Sequence, residues 1–193
     1  NADLHRKVSE KERSSIRKAL GQMNWLSNIS RPEISYQVSS ISSRIKEATI
    51  SDIKEINKLI KFVKENKGFI TFPSLHIPSI KIGMYSDASF NNLSNGASQG
   101  AHIIMLMDKN NQSCPLSWKS TKVCRIARST LAAEALAFAD GSEAEYLIHK
   151  IAQESKLIIN SSPILAYTDS KSLCESVSTT SLVSDRRLRI EIS

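Results

Sequence analysis

The sequence predicts an α/β domain with a mixed sheet, preceded by a small segment of three helices. Three observations carry that reading. Apolar residues recur at helical spacing from Glu12 to the residues just before Gly68. After Gly68 the period changes to short apolar runs divided by turn residues. An Ala-rich helical stretch then separates the third such run from the fourth.

Residues 1 to 11 are polar and charged, a loose lead-in. The first helix covers Glu12 to Ser27, with Ile16, Leu20, Met23 and Leu26 on one face. Ser30-Arg31-Pro32-Glu33 breaks the chain and restarts it, since proline is at home in a first helical turn. Ile34, Val38, Ile41 and Ile45 form the stripe of a second helix. Thr49 or Ser51 caps a third, which carries Ile53, Ile56, Leu59, Ile60 and Val63, and Gly68 suits the C′ position that ends it.

Phe69 to Phe72 is a short β-like run, and Pro73 and Pro78 punctuate a linker. Strands are expected at Ile80 to Ser86, Gly100 to Met107 and Pro115 to Ser120. The polar loop from Asn91 to Gly100 and the turn Asp108-Lys109-Asn110-Asn111-Gln112 link them as an antiparallel meander. Ser129 or Thr130 caps the Ala-rich helix, which reaches about Ser155 and is loosened at Gly141. Ile164 to Thr168 makes a fourth strand, Ser170 to Val177 a short helix, and Ser184 or Asp185 caps a last helix. The divisions are a helical segment at 1–67, a linker with a short strand at 68–79, and an α/β domain at 80–193, truncated in its last helix.

The 193 residues and 40% hydrophobic content suit one packed domain plus an appendage. No apolar run is long enough to cross a bilayer, so no membrane partner is expected. The chain opens without Met or a signal-peptide core and is read as part of a longer polypeptide. A net charge of +7 favours an anionic partner such as nucleic acid. The three cysteines are widely spaced with no C-x-x-C pair, which argues against a disulfide framework or zinc site and for a reducing, intracellular setting.

Two acids share a context. Asp87 in Met-Tyr-Ser-Asp-Ala-Ser and Asp169 in Ala-Tyr-Thr-Asp-Ser-Lys each follow an apolar strand, a Tyr and a hydroxyl residue. If the strands lie parallel and adjacent, both carboxylates reach one edge of the sheet, where they repel unless a cation sits between them. Glu134 opens the Ala-rich helix among Ala133, Ala135 and Ala137, small neighbours that let a helix end approach a sheet. Three carboxylates without His or Cys suit a hard cation, Mg²⁺ or Mn²⁺. Glu145 rivals Glu134, but eleven residues put the two about 16 Å apart along a helix axis, so only one can join the aspartates. Each aspartate also has a plain reading, Asp87 as a turn former and Asp169 as a helix cap. Trp25 and Trp118 read as core residues, and His102 as a packed or edge residue.

Residues 80 to 192 resemble the ribonuclease H domain of long-terminal-repeat retrotransposon polyproteins, nearest the copia type. The resemblance rests on Tyr85-Ser86-Asp87-Ala88-Ser89, Leu116-Ser117-Trp118-Lys119-Ser120 and Arg128-Ser129-Thr130-Leu131-Ala132-Ala133-Glu134-Ala135-Leu136-Ala137. It continues through Tyr167-Thr168-Asp169-Ser170-Lys171-Ser172-Leu173 and Arg189-Ile190-Glu191-Ile192. The helical lead-in, with Arg17-Lys18-Ala19-Leu20-Gly21-Gln22-Met23-Asn24-Trp25-Leu26 and Ser30-Arg31-Pro32-Glu33-Ile34-Ser35, is similar to the segment joining reverse transcriptase to ribonuclease H in those polyproteins.

The resemblance implies a ribonuclease H-like fold, a magnesium-dependent hydrolase that cuts the RNA strand of RNA·DNA hybrids, and an upstream reverse transcriptase domain as partner. It implies two Mg²⁺ ions, with Mn²⁺ as a substitute, held by Asp87, Glu134, Asp169 and a fourth acid, Glu191. Such elements usually carry Asp at the place of Glu191, and the histidine many ribonucleases H have before the last acid is missing. Asp185 is an alternative fourth acid, as is the lack of any. Lys119, Lys122, Arg125 and Arg128, with Lys171, Arg186 and Arg187, are the expected phosphate contacts. The implied location is the cytoplasm or nucleus, virus-like particles included. Two rival functions stand beside this one: a decayed or co-opted module that binds hybrid duplex without cutting, and a transposase or integrase. The second fits less well, because those enzymes end their acidic triad on a Glu from a late helix.

Overall fold

The computed structural model describes residues 4–93, 96–158 and 163–178. The chain divides into two compact units, Asn1–Ile70 and Thr71–Ser193.

The first unit holds α1 (Glu10–Ile29), α2 (Ser35–Ser43) and α3 (Ile50–Glu65). Reciprocal capping boxes, Ser9 with Glu12 and Thr49 with Asp52, satisfy the otherwise orphaned amides that open α1 and α3. The expected stripes meet in the interior: Ile16, Leu20, Met23, Ile34, Val38, Ile41, Ile56 and Leu59 are all buried. Pro32 starts a 3₁₀ turn (Pro32–Ile34) rather than an α-helix, and Ile45 lies in a second such turn after α2 has ended. Trp25 is 62% exposed on α1 and therefore no core residue.

Gly68 does not occupy the C′ position expected of it. Asn66 closes α3 with φ of −108°, two residues earlier. The reason for glycine is steric, because a Cβ on Gly68 would lie 2.5 Å from Arg31 Nε and 2.9 Å from Glu33 Oε1. Arg31 is buried, is ion-paired to Glu33 and donates to the Val63 carbonyl oxygen, so the chain after α3 passes directly over this pair. Residues 69–72 form no strand, and Phe69 and Phe72 are exposed.

Among the described residues the second unit is built on four strands, β1 (Lys81–Ser89), β2 (Gln99–Met107), β3 (Ser113–Lys122) and β4 (Leu165–Thr168), in the order β3-β2-β1-β4. The first three form an antiparallel meander, and β4 pairs parallel to β1. Helix α4 (Thr130–Glu154) separates β3 from β4, and α5 (Lys171–Ser178) follows β4. Strand β4 is one residue shorter than the expected Ile164 to Thr168, while the three meander strands run longer than expected because polar residues continue the ladder. Asp87 thus lies inside β1, opposite Ala101, with Ala88 and Ser89 still paired beyond it. Pro115, which cannot donate to a ladder, sits where the β2–β3 register slips and Leu116 is the extra residue.

Ile82, Met84, Ile104 and Leu106 on one face of the sheet form a buried cluster with Ala152 of α4. Gly141 lets α4 pass close over the sheet, since a Cβ there would lie 2.8 Å from Met84 Sδ and 3.0 Å from His102 Cβ. The helix runs through Gly141 without a break, so this residue is a crossing point and not a loosening.

Candidate metal centre

Three elements deliver three carboxylates to one place. Asp87 comes from β1, Glu134 from the second turn of α4, and Asp169 from the residue immediately after β4. One carboxylate oxygen of each lies within 4.8 Å of the others. Asp87 and Asp169 are exposed, while Glu134 is 6% exposed.

Local structure fixes each acid. Strands β1 and β4 are in parallel register as far as Ser86↔Thr168, which brings the following residues, Asp87 and Asp169, out side by side. Asp169 is not the cap of α5: Ser170 Oγ accepts the Leu173 amide at 3.3 Å and does that work. Asp87, paired within a strand, forms no turn. Ser129 Oγ accepts the Ala132 amide at 3.1 Å and starts α4. Ala133, Ala135 and Ala137 are buried, so the first turns of that helix lie close against their neighbours and hold Glu134 at the aspartates.

The electrostatics follow from that placement. Burial pushes the Glu134 carboxyl up to about 7, with further upward contributions from Asp87 and then Asp169, against one hydrogen bond from the Ala88 amide. Glu134 Oε2 is buried without a hydrogen-bond partner among the described residues. A buried acceptor facing two more carboxylates is costly to leave as it stands. The donor set is all oxygen, which suits Mg²⁺ or Mn²⁺, and the orphaned oxygen is available to such an ion.

Glu145 is elsewhere. It is fully buried on the inner face of α4, both carboxylate oxygens lack partners among the described residues, and Oε1 lies 3.5 Å from His149 Nδ1. The spacing i, i+4 on a helix was the available signal for this pair.

Of the basic residues, Lys119 on β3 is engaged by Asp140 of α4, its Nζ at 2.8 and 2.9 Å from the two carboxylate oxygens. His102, buried on β2, points Nδ1 at the same carboxylate from 3.4 Å, and burial lowers its pKa. Lys119, Lys122 and Arg125 line a groove between the end of β3 and α4, together with Gly100, Leu136 and Asp140. Arg128 is exposed just before α4, and Lys171 is exposed on α5, 3.7 Å from Glu175. Arg186, Arg187, Glu191 and its alternative Asp185 lie outside the described residues.

No described helix is long and apolar enough to cross a membrane. Comparison with models of protein families and with curated proteins found no match to this chain.

Proposed function

We propose that the second unit is a ribonuclease H-like domain that hydrolyses the RNA strand of RNA·DNA hybrids with divalent cations. On this reading the helical first unit is the connection segment of a copia-type retrotransposon reverse transcriptase. The observation that carries the proposal is the convergence of Asp87, Glu134 and Asp169 within 4.8 Å, with Glu134 buried and one of its oxygens unpartnered. The order of elements adds support: a three-stranded meander, a helix bearing the Glu, then a parallel strand ending on the second Asp.

Asp87, Glu134 and Asp169 would hold Mg²⁺, with Mn²⁺ as a substitute, and Glu191 is the proposed fourth ligand that completes a two-ion site. When bound, such ions activate water and neutralise charge on the scissile phosphate. The chain's own groups supply the rest. The acids orient their oxygens at the end of the parallel β1–β4 pair, and Lys122, Arg125 and Arg128 meet backbone phosphates beside the groove. Hybrid duplex would be chosen by its A-like minor groove and 2′-hydroxyls rather than by base sequence.

The decisive assay follows cleavage of a labelled RNA·DNA hybrid in Mg²⁺ by the chain and by Asp87→Asn. Product from the parent alone is expected. Equal product from both proteins would end the enzyme reading of this site. Binding of hybrid without cleavage by either would favour the non-cutting module, the reading motivated by Glu191 and the missing histidine.

A further inference from the structure

On the exposed face of the sheet, Tyr85 of β1 and Tyr167 of β4 lie opposite one another in parallel register. Their ring centroids are 4.7 Å apart and their planes 15° from parallel. The Tyr85 hydroxyl donates to Met107 Sδ at 3.4 Å, which brings β2 into the same row. Gly83 makes the row possible: a Cβ there would overlap Met107 Cε and press on Tyr167 Cε2 at 3.2 Å. The two rings are 40% and 42% exposed, so burial alone does not explain the pairing.

Each tyrosine stands two residues before an acid of the cluster, Tyr85 before Asp87 and Tyr167 before Asp169. Alternation along a strand places residues two apart on one face. The ladder between β1 and β4 ends at Ser86↔Thr168, one residue short of Asp87 and Asp169, so the acids themselves lie just past the paired backbone. Two carboxylates side by side push their strands apart, and two residues back the ring stack joins the same two strands. We infer that Tyr85 and Tyr167 are positioning residues, a stacked clamp that keeps the ends of β1 and β4 at the separation a shared cation requires.

The inference rests on reading the acid cluster as a cation site, and its test separates the two. Free Mn²⁺ is counted by electron paramagnetic resonance during titration of the parent, Tyr85→Phe, Tyr85→Val, Tyr167→Val and the double valine variant. Tyr146→Val, which removes an exposed tyrosine on α4, is the control. The phenylalanine variant and the control should bind like the parent. Either valine variant should bind about tenfold more weakly, the range seen when partners that orient metal ligands are lost. The double variant should lose little more than one single, because the clamp fails once. Tyr85→Leu replaces the valine variant if that protein does not fold.

Parent-like affinity in folded Tyr85→Val would overturn the clamp and leave the cation site standing. Loss in Tyr85→Phe equal to that in Tyr85→Val would also overturn it, since the hydroxyl and not the ring would then matter. A parent that binds no Mn²⁺ saturably would overturn the cation reading and the clamp with it.

Discussion

Glu145 Oε1 and His149 Nδ1 face each other at 3.5 Å, one turn apart on α4, and both atoms are buried without hydrogen-bond partners among the described residues. Burial pushes the Glu145 carboxyl from its ordinary 4.5 to about 7. The folded chain therefore keeps a proton that the unfolded chain releases. The stability this group contributes is fully present below about pH 4.5 and is lost as pH rises through 7. Urea unfolding should show a decline between pH 5 and pH 8 to which Glu145 contributes on the order of 2–3 kcal/mol. Glu145→Gln should flatten it by that share; an unchanged pH slope would refute the assignment.

Glu134 follows the same sign with a different remedy. Its carboxyl is also raised to about 7, so metal-free protein should lose stability from this group as pH climbs toward neutrality. A divalent cation competes with the proton there. Mg²⁺ should consequently raise the melting temperature more at pH 8 than at pH 5.5, by mass action on the folded state. Asp87→Asn should abolish that rise. Glu134→Gln should raise the metal-free melting temperature at pH 8 while lowering hybrid cleavage by more than about a hundredfold, because losing a ligand costs more than disturbing a group behind one.

At Gly141 the helix and the sheet leave no room for a side chain. Alanine favours helices over glycine by about 1 kcal/mol, yet overpacking costs about 1–3 kcal/mol. His102 Cβ, fixed to the backbone, cannot move aside as Met84 Sδ can. Gly141→Ala should be net destabilising in urea, and Gly141→Val more so. A stabilised alanine variant would show that α4 can lift off at no cost.

The basic groove predicts a salt signature. Lys122→Ala should weaken hybrid binding and reduce the slope of log affinity against log salt by about one. Lys119 is tied to Asp140, so Asp140→Asn should strengthen binding by releasing it. Fluorescence anisotropy at several salt concentrations measures both, and equal slopes for parent and Lys122→Ala would remove Lys122 from the interface.

How much of this was legible beforehand depended on the kind of signal. Helices α1 and α3 announce themselves through their stripes, α3 also through Thr49, whereas the Ser9 cap of α1 lies in the stretch read as a loose lead-in. The twin contexts of Asp87 and Asp169 point to one sheet edge on the condition, which the fold meets, that β1 and β4 are parallel neighbours. Strand ends did not show, because Ala88, Ser89 and Lys122 continue their ladders through backbone pairing, which hydrophobic alternation cannot register. Gly68 and Gly141 were read by local rules for glycine, yet each is dictated by residues far along the chain, Arg31 and Glu33 in one case, Met84 and His102 in the other. The capture of Lys119 by Asp140 spans a strand and a helix and has no periodicity to betray it. Trp25 departs from the core expectation because residue type speaks for burial only on average, and here the side chain stands exposed on α1.

The four-residue length of β4 has a dynamic consequence. This strand, at the edge of the described sheet, is held by a single neighbour, and the helix after it buries chiefly Leu173. Such a segment is among the first to open in the native state, without the meander unfolding. Each opening carries Asp169 away and dismantles the acid cluster, so occupancy by a cation and closure of β4 are one equilibrium seen from two sides. Amide hydrogens of residues 165–168 should thus exchange more slowly when the cation is bound, while those of the β2–β3 ladder should not change.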